Sequence, residues 1–174
     1  MRRSVLRFSN VLLIAAGLLC MVPMLKAQNP DVEATYVHLY RNSNAETDLS
    51  KLALKHSSND DVKKFAKQVL SENRALAGQI MTYAVKYNFR VISATPSSTK
   101  DAEKQMKSLT GVPFDKLYLV QMDAFVKDDL QAAAPASEAS DPDVSAVGKQ
   151  VTTIANARAK QIDELTRADG FVIR

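Results

Sequence analysis

Carboxylates at helical spacing are the residues in this chain with the most obvious chemical potential. A di-metal carboxylate centre inside a helical bundle takes one Glu from each of two helices and a Glu-x-x-His pair from each of the other two. Glu46 and Asp128 could supply the first kind of ligand. The second kind is missing, because Glu72 is followed three residues later by Ala75, and Ile154 and Ala157 stand at the matching spacing further on. The sequence therefore predicts no metal ligands.

The two histidines of the chain do not supply the missing metal ligands. The chain has only His38 and His56, and eighteen residues of helix separate them by roughly 27 Å, so they cannot share one ion. We expect Glu46 to pair with a neighbour such as Arg158, or to lie exposed at a helix kink. Asn73 falls on an apolar stripe, where it could form a hydrogen bond across the core. His56 is expected near the end of its helix, where the helix dipole favours positive charge.

Other catalytic patterns are absent from the sequence. The glycines after residue 27 are isolated, so no phosphate-binding loop is present, and there is no Gly-x-Ser-x-Gly motif. Cys20 is the only cysteine, and it lies in the N-terminal segment. A chain cut after that segment has no thiol for a disulfide, a metal site or a nucleophile. We predict no catalytic residue, no cofactor and no enzymatic activity.

Four long segments carry an apolar repeat of about 3.6 residues, which predicts amphipathic helices. They cover residues 31–56, 60–89, 113–134 and 142–168. The long connection 90–112 contains a predicted short helix at 100–109, and the Ala-rich residues 132–140 are predicted to turn. Two antiparallel pairs joined by one long crossover are typical of ferritin-like folds. We therefore predict an all-α, ferritin-like antiparallel four-helix bundle, formed by a single domain at residues 28–174.

The second and fourth helices also resemble each other. Residues 61–80 and 143–162, offset by 82 positions, share nine identities in twenty. The same offset pairs Tyr36 with Tyr118 and Glu46 with Asp128. Either a helix pair is duplicated, or the cores of two helices have converged on the same residue types.

The charge and hydropathy of the first residues indicate export. Arg2, Arg3, Arg7 and Lys26 precede residue 28 without any acidic residue, and the remaining chain has 19 basic and 19 acidic residues. A basic start followed by a short apolar run is typical of a secretory signal, and we predict cleavage after Ala27. The apolar run 11–25 contains Pro23 and is shorter than the roughly 20 residues of a membrane span. The charge balance of the remainder argues against a nucleic-acid binder.

Four motifs in order resemble a bacterial family of exported proteins, the domain-of-unknown-function family 4142. They are 45–54, 58–66, 111–119 and 141–144, and the resemblance covers about residues 32–166. The resemblance implies a ferritin-like fold without a settled activity. Many relatives look as though they carry Asp-His in the second and third helices and His in the fourth. This chain has Glu72-Asn73, Phe125-Val126 and Ala157 there, so if those histidines bind metal in relatives, this chain has lost the site.

Together these features predict a protein of the periplasm or cell envelope, which acts as a non-catalytic binding or stress-associated protein. Two alternatives remain. One is a metal-binding or di-metal carboxylate protein, and the other is a helical module that pairs with itself or with an envelope partner. The partner is unknown, and no membrane span is expected after cleavage.

Overall fold

The computed structural model describes residues 30–92, 96–168 and 170, and every regular element in them is helical. The helices are α1 (Pro30–His56), α2 (Asp60–Lys86), α3 (Ser97–Met106), α4 (Gly111–Ser137) and α5 (Pro142–Ala168). The predicted all-α class is confirmed. The predicted signal at residues 1–27 lies outside the described residues, and the single-domain boundary at residue 28 stays a prediction.

The four long helices form two antiparallel pairs joined by a crossover. α1 packs against α2, α4 packs against α5, and α1 also lies along α4. Ser50 contacts Tyr118 while Asn42 contacts Asp129, so α1 and α4 run in opposite directions. α2 and α4 consequently run in the same direction, and the chain between them must return along the bundle. α3 lies in this return, as in bundles with one long crossover.

The starts of α2 and α5 are fixed by side chains that cap them. Asn59 accepts hydrogen bonds from the backbone N–H groups of Asp61 and Val62 at the start of α2. Asp141 does the same for Asp143 and Val144 at the start of α5. These bonds satisfy donors that the first helical turn leaves without a partner.

The predicted boundaries of three helices are wrong. α2 ends at Lys86 rather than at residue 89, and α3 covers 97–106 rather than 100–109. α4 continues to Ser137 through the segment predicted as a turn, with Pro135 inside it. Pro135 is exposed and lies in the last helical turn. There its missing N–H removes one backbone hydrogen bond, and only two helical residues follow it. The Ser137 hydroxyl adds a bond in the same turn, because it donates to the carbonyl oxygen of Ala133.

The buried positions of α2 recur in α5 with the offset that the sequence suggests. Every residue of the buried set of α2, from Val62 to Ala84, has a buried counterpart 82 positions later. Between α1 and α4, six of the ten buried α1 positions have a buried counterpart at an offset of 83, against one at 82, and the 83-residue offset pairs Leu39 with Met122 and Glu46 with Asp129. The predicted pairing of Glu46 with Asp128 is therefore wrong by one residue.

Among residues 30–92 and 96–168, no helix combines the length and the apolar character that a membrane crossing requires.

Gly148 sets the distance between α4 and α5. A Cβ atom at this position would lie 2.3 Å from the backbone nitrogen of Ser137 and 2.6 Å from the carbonyl carbon of Ala136. Helix backbone cannot yield as a flexible side chain does, so only glycine allows this approach. The Ser145 hydroxyl also stabilises this contact between α4 and α5, because it donates to the Ser137 carbonyl at 2.9 Å.

We predict that Gly148→Ala lowers the free energy of unfolding by about 1–3 kcal/mol, because the two helices must move apart. Gly78→Ala is the matched control, since no atom beyond the local backbone of its own helix lies within 4 Å of the added methyl group. That change should stabilise the protein by about 0.5–1 kcal/mol, because alanine loses less backbone entropy in a helix. Urea unfolding of both variants gives the comparison. Equal effects of the two substitutions would contradict the close approach.

Candidate functional site

The centre of the bundle holds a buried guanidinium group between carboxylates from two other helices. Arg158 of α5 donates through Nη1 to Glu46 Oε2 of α1 and through Nε to Glu72 Oε2 of α2, both at 2.8 Å. Arg158 and Glu46 are about 2% and 1% exposed. The predicted pairing of Glu46 with Arg158 is confirmed. Glu72, which in the sequence is only part of an incomplete ligand motif, is half-buried and belongs to the same network.

Asn73 connects this ion pair to the backbone of α1. Its side-chain oxygen accepts from Arg158 Nη2 at 2.8 Å, and its Nδ2 donates to Glu46 Oε2 at 2.8 Å and to the Ser43 carbonyl at 3.1 Å. The Ser43 hydroxyl in turn donates to the Asn73 carbonyl at 3.2 Å. The predicted hydrogen bonding of Asn73 across the core is confirmed.

A second buried carboxylate, Asp129 of α4, lies where the repeat places the counterpart of Glu46. Its Oδ1 accepts from Asn42 Nδ2 at 2.9 Å. Burial raises the pKa of Asp129 well above its ordinary value, and the negative charges of Glu46 and Asp128 add to the effect, whereas Asn42 and Arg158 oppose it. The sequence gives no direct sign of Asp129, because its neighbour Asp128 is the residue that the 82-residue offset selects.

The other predicted positions lie away from this centre. Asp128 is half-exposed and forms a pair with His38, whose Nε2 lies 2.9 Å from Asp128 Oδ2. His56 ends α1 as predicted; its Nδ1 lies 3.0 Å from the Leu109 carbonyl oxygen, and its ring stacks on Phe114.

Two of the three positions where relatives carry histidine are buried in the core here, and they hold Asn73 and the apolar Val126. The third, Ala157, is exposed on the outer face of α5. The side chains of α5 that reach inward at this level are Ala155 and Arg158. Within the described ranges, no three His, Cys, Asp or Glu side chains are grouped so that they could hold a metal ion.

A polar cleft of about 350 Å³ opens between α1, α4 and the start of α3. Its lining combines a guanidinium group, an imidazole, a carboxylate, two amides and apolar surface, from His38, Arg41, Asn42, Pro96, Thr99, Gln121, Ala124, Phe125 and Asp128. Asn42 connects the cleft to the core, because its Nδ2 donates to both Asp128 Oδ2 and Asp129 Oδ1 at 2.9 Å. This cleft has the size and the mixed polarity of a ligand site.

Comparison with family models matches residues 23–169 to the domain of unknown function DUF4142. The chain belongs to the DUF4142 family. The match includes the four motifs on which the resemblance was based, and it covers most of the chain. A search of curated proteins finds no match to this DUF4142 protein.

Two solved structures share the fold of this DUF4142 chain. One is a DUF305 protein from Streptomyces coelicolor, described as a proposed secreted protein. It has 11% sequence identity and a TM-score of 0.71, with 80% of this chain and 93% of that chain covered. The other is a DUF305 fragment from Deinococcus radiodurans, with 12% identity, a TM-score of 0.73, and 79% and 96% of the two chains covered. Identities this low show a common helical fold and nothing about activity. The ferritin-like assignment itself stays a prediction.

We predict that Arg158→Met destabilises this DUF4142 protein by about 3–5 kcal/mol, because it leaves the buried Glu46 carboxylate without a cation. Adding Glu46→Leu to that variant should recover part of the loss, since an apolar pair has no charge to desolvate. Urea unfolding at neutral pH measures both. Arg167→Met is the control, because the Arg167–Asp163 pair is exposed and such pairs contribute little. Additive losses in the double variant would contradict this interpretation.

We also predict that Asp129→Asn changes how stability depends on pH. The pKa of Asp129 is raised in the folded state, so its contribution to stability is fully present below the unfolded pKa of about 3.9. That contribution is lost as the pH rises through the folded pKa. The amide keeps an oxygen for Asn42 and does not titrate. The stability of the variant relative to the parent should therefore increase from pH 4 upward, as urea midpoints across that range will show. A constant difference would show that Asp129 has an ordinary pKa.

Proposed function

We propose that this DUF4142 protein is exported to the periplasm or cell envelope and acts there as a non-catalytic binding protein. The observation that carries the non-catalytic part is the position of the Arg158 guanidinium. It lies between Glu46 and Glu72, in the centre of the bundle, where a carboxylate-bridged metal would need to bind.

The electrostatics at the centre of the bundle favour the guanidinium of Arg158 over a bound metal ion. Burial alone would lower the pKa of Arg158, but the carboxylates of Glu46 and Glu72 raise it overall, so the group keeps its charge. A divalent ion would have to displace a guanidinium that already donates to Glu46, Glu72 and Asn73. It would then leave that guanidinium buried without its partners, which is costly.

Export is supported by two independent features. The first residues are basic and are followed by a short apolar run, as in secretory signals. A structural neighbour with the same fold is described as a proposed secreted protein. Neither feature depends on the chemistry of the bundle.

Binding is favoured over self-association by the distribution of apolar surface. Among the described residues, the large hydrophobic side chains that are exposed are those of Met81, Val85, Ile92 and Val112. Met81 and Val85 lie one turn apart near the end of α2, whereas Val112 lies at the start of α4, at the opposite end of the bundle. These positions do not form one continuous apolar face. The cleft at α1, α3 and α4 offers a better defined place for a partner molecule.

The test is to produce the full chain in a Gram-negative host and recover it by osmotic shock. We expect the protein in the shock fraction, with an intact mass that corresponds to cleavage after Ala27. After incubation with Fe²⁺, Mn²⁺ or Zn²⁺ and desalting, we expect less than one equivalent of metal per chain.

The matched control for export replaces Arg2, Arg3 and Arg7 by Glu, which should keep the protein in the cytoplasmic fraction. Equal location of the control and the parent would overturn the assignment of the signal. Retention of one or more equivalents of a metal would overturn the non-catalytic assignment in favour of a metal-binding protein.

A further inference from the structure

The cleft between α1, α3 and α4 presents a fixed negative group at one wall. The Asp128 carboxylate is about half-exposed, and its Oδ2 lies 2.9 Å from both Asn42 Nδ2 and His38 Nε2. Asn42 is itself buried and is held by the second bond to Asp129. Asp128 is therefore oriented before any ligand arrives, which lowers the entropy that binding must overcome.

The same cleft presents positive potential from two sources. Arg41 lines it, and a guanidinium has five N–H donors, so it can serve more than one acceptor and can bind a carboxylate through two of them. The first turn of α3 borders it through Pro96 and Thr99. That turn has no side-chain cap and no acidic residue, and the amino end of a helix favours negative charge.

Polar and apolar groups line the rest of the space. Gln121 adds a second amide beside Asn42, and Phe125 adds an aromatic ring. The volume of about 350 Å³ is at the lower end of the range for ligand sites, which suits a small molecule. A simple anion would be repelled by Asp128, and a simple cation would be repelled by Arg41.

We propose that this cleft binds a small zwitterion of the amino-acid class, with its ammonium group at Asp128 and its carboxylate at Arg41 and the start of α3. The inference rests on the proposed binding function and names the ligand class of that site. Asp128 and Arg41 can both contribute to the affinity only when one ligand carries both a positive and a negative charge.

Probes with matched skeletons test the assignment. L-Norvaline and 4-aminobutyrate carry both charges at different separations, whereas valerate and butylamine carry one each. Each is titrated into the mature protein at neutral pH, and the side-chain amide signals of Asn42 and Gln121 are followed by NMR. At least one zwitterion should bind about tenfold more tightly than either singly charged probe, since it gains a second charged contact.

Single substitutions test whether Arg41 binds the carboxylate of the ligand and Asp128 its ammonium group. Arg41→Gln should weaken the zwitterion about tenfold and leave butylamine unchanged or improved, and Asp128→Asn should weaken the zwitterion similarly and leave valerate unchanged or improved. Such opposite changes in preference do not result from partial unfolding, which would weaken every probe. Lys160→Gln, at an exposed position on α5, should change none of the affinities.

Valerate that binds as tightly as the zwitterions would overturn the assignment in favour of an anion site, while the proposed binding function would stand. Absence of binding by all four probes at about 10 mM would overturn the ligand class. Failure of the proposed function would appear separately, as stoichiometric metal or as retention in the cytoplasm.

Discussion

The ion pair between Arg158 and Glu46 is the constraint on which the rest of the structure depends. Desolvation of a guanidinium is costly unless every donor has a partner, and here the partners come from α1 and α2 while the guanidinium comes from α5. The three helices must hold one register for the bonds to Glu46, Glu72 and Asn73 to form together. A slide of any helix by one turn would leave a buried charge without a partner.

The two halves of the bundle are built alike but differ in length by one residue. α2 and α5 match at an offset of 82, whereas α1 and α4 match at 83. At the offset of 83, the end of α1 corresponds to residue 139, but α4 already ends at Ser137, two residues earlier. The connection 138–141 is one residue longer than the connection 57–59. The agreement of buried positions is complete between α2 and α5 and partial between α1 and α4. It supports duplication of a helix pair more strongly than identities between two helices do, because buried positions need not keep the same residue type.

The sequence predicts the parts of this structure that local rules control. The long helices, the caps at Asn59 and Asp141, and the pairing of Glu46 with Arg158 follow from periodicity, capping chemistry and the need to neutralise an inward carboxylate. Asp129 could not be found in this way, because its identification depends on the length of one connection. A shift of one residue moves a helical side chain by about 100° around the axis, which separates a half-exposed Asp128 from a buried Asp129. The role of Glu72 was likewise hidden, because it depends on how far Arg158 reaches from α5.

The duplication explains why the centre of the bundle and the cleft have different roles. The counterpart of Arg158 in α2 is Leu76, so Glu46 has a guanidinium partner, whereas its structural counterpart Asp129 has an amide partner in Asn42. Burial raises the pKa of Asp129, so the folded state binds a proton at this carboxylate more readily than the unfolded chain does. Asn42 bonds to Asp129 with the same amide nitrogen that positions Asp128. The core therefore orients the carboxylate in the cleft, and a change in the charge of Asp129 would act on the cleft through a single side chain.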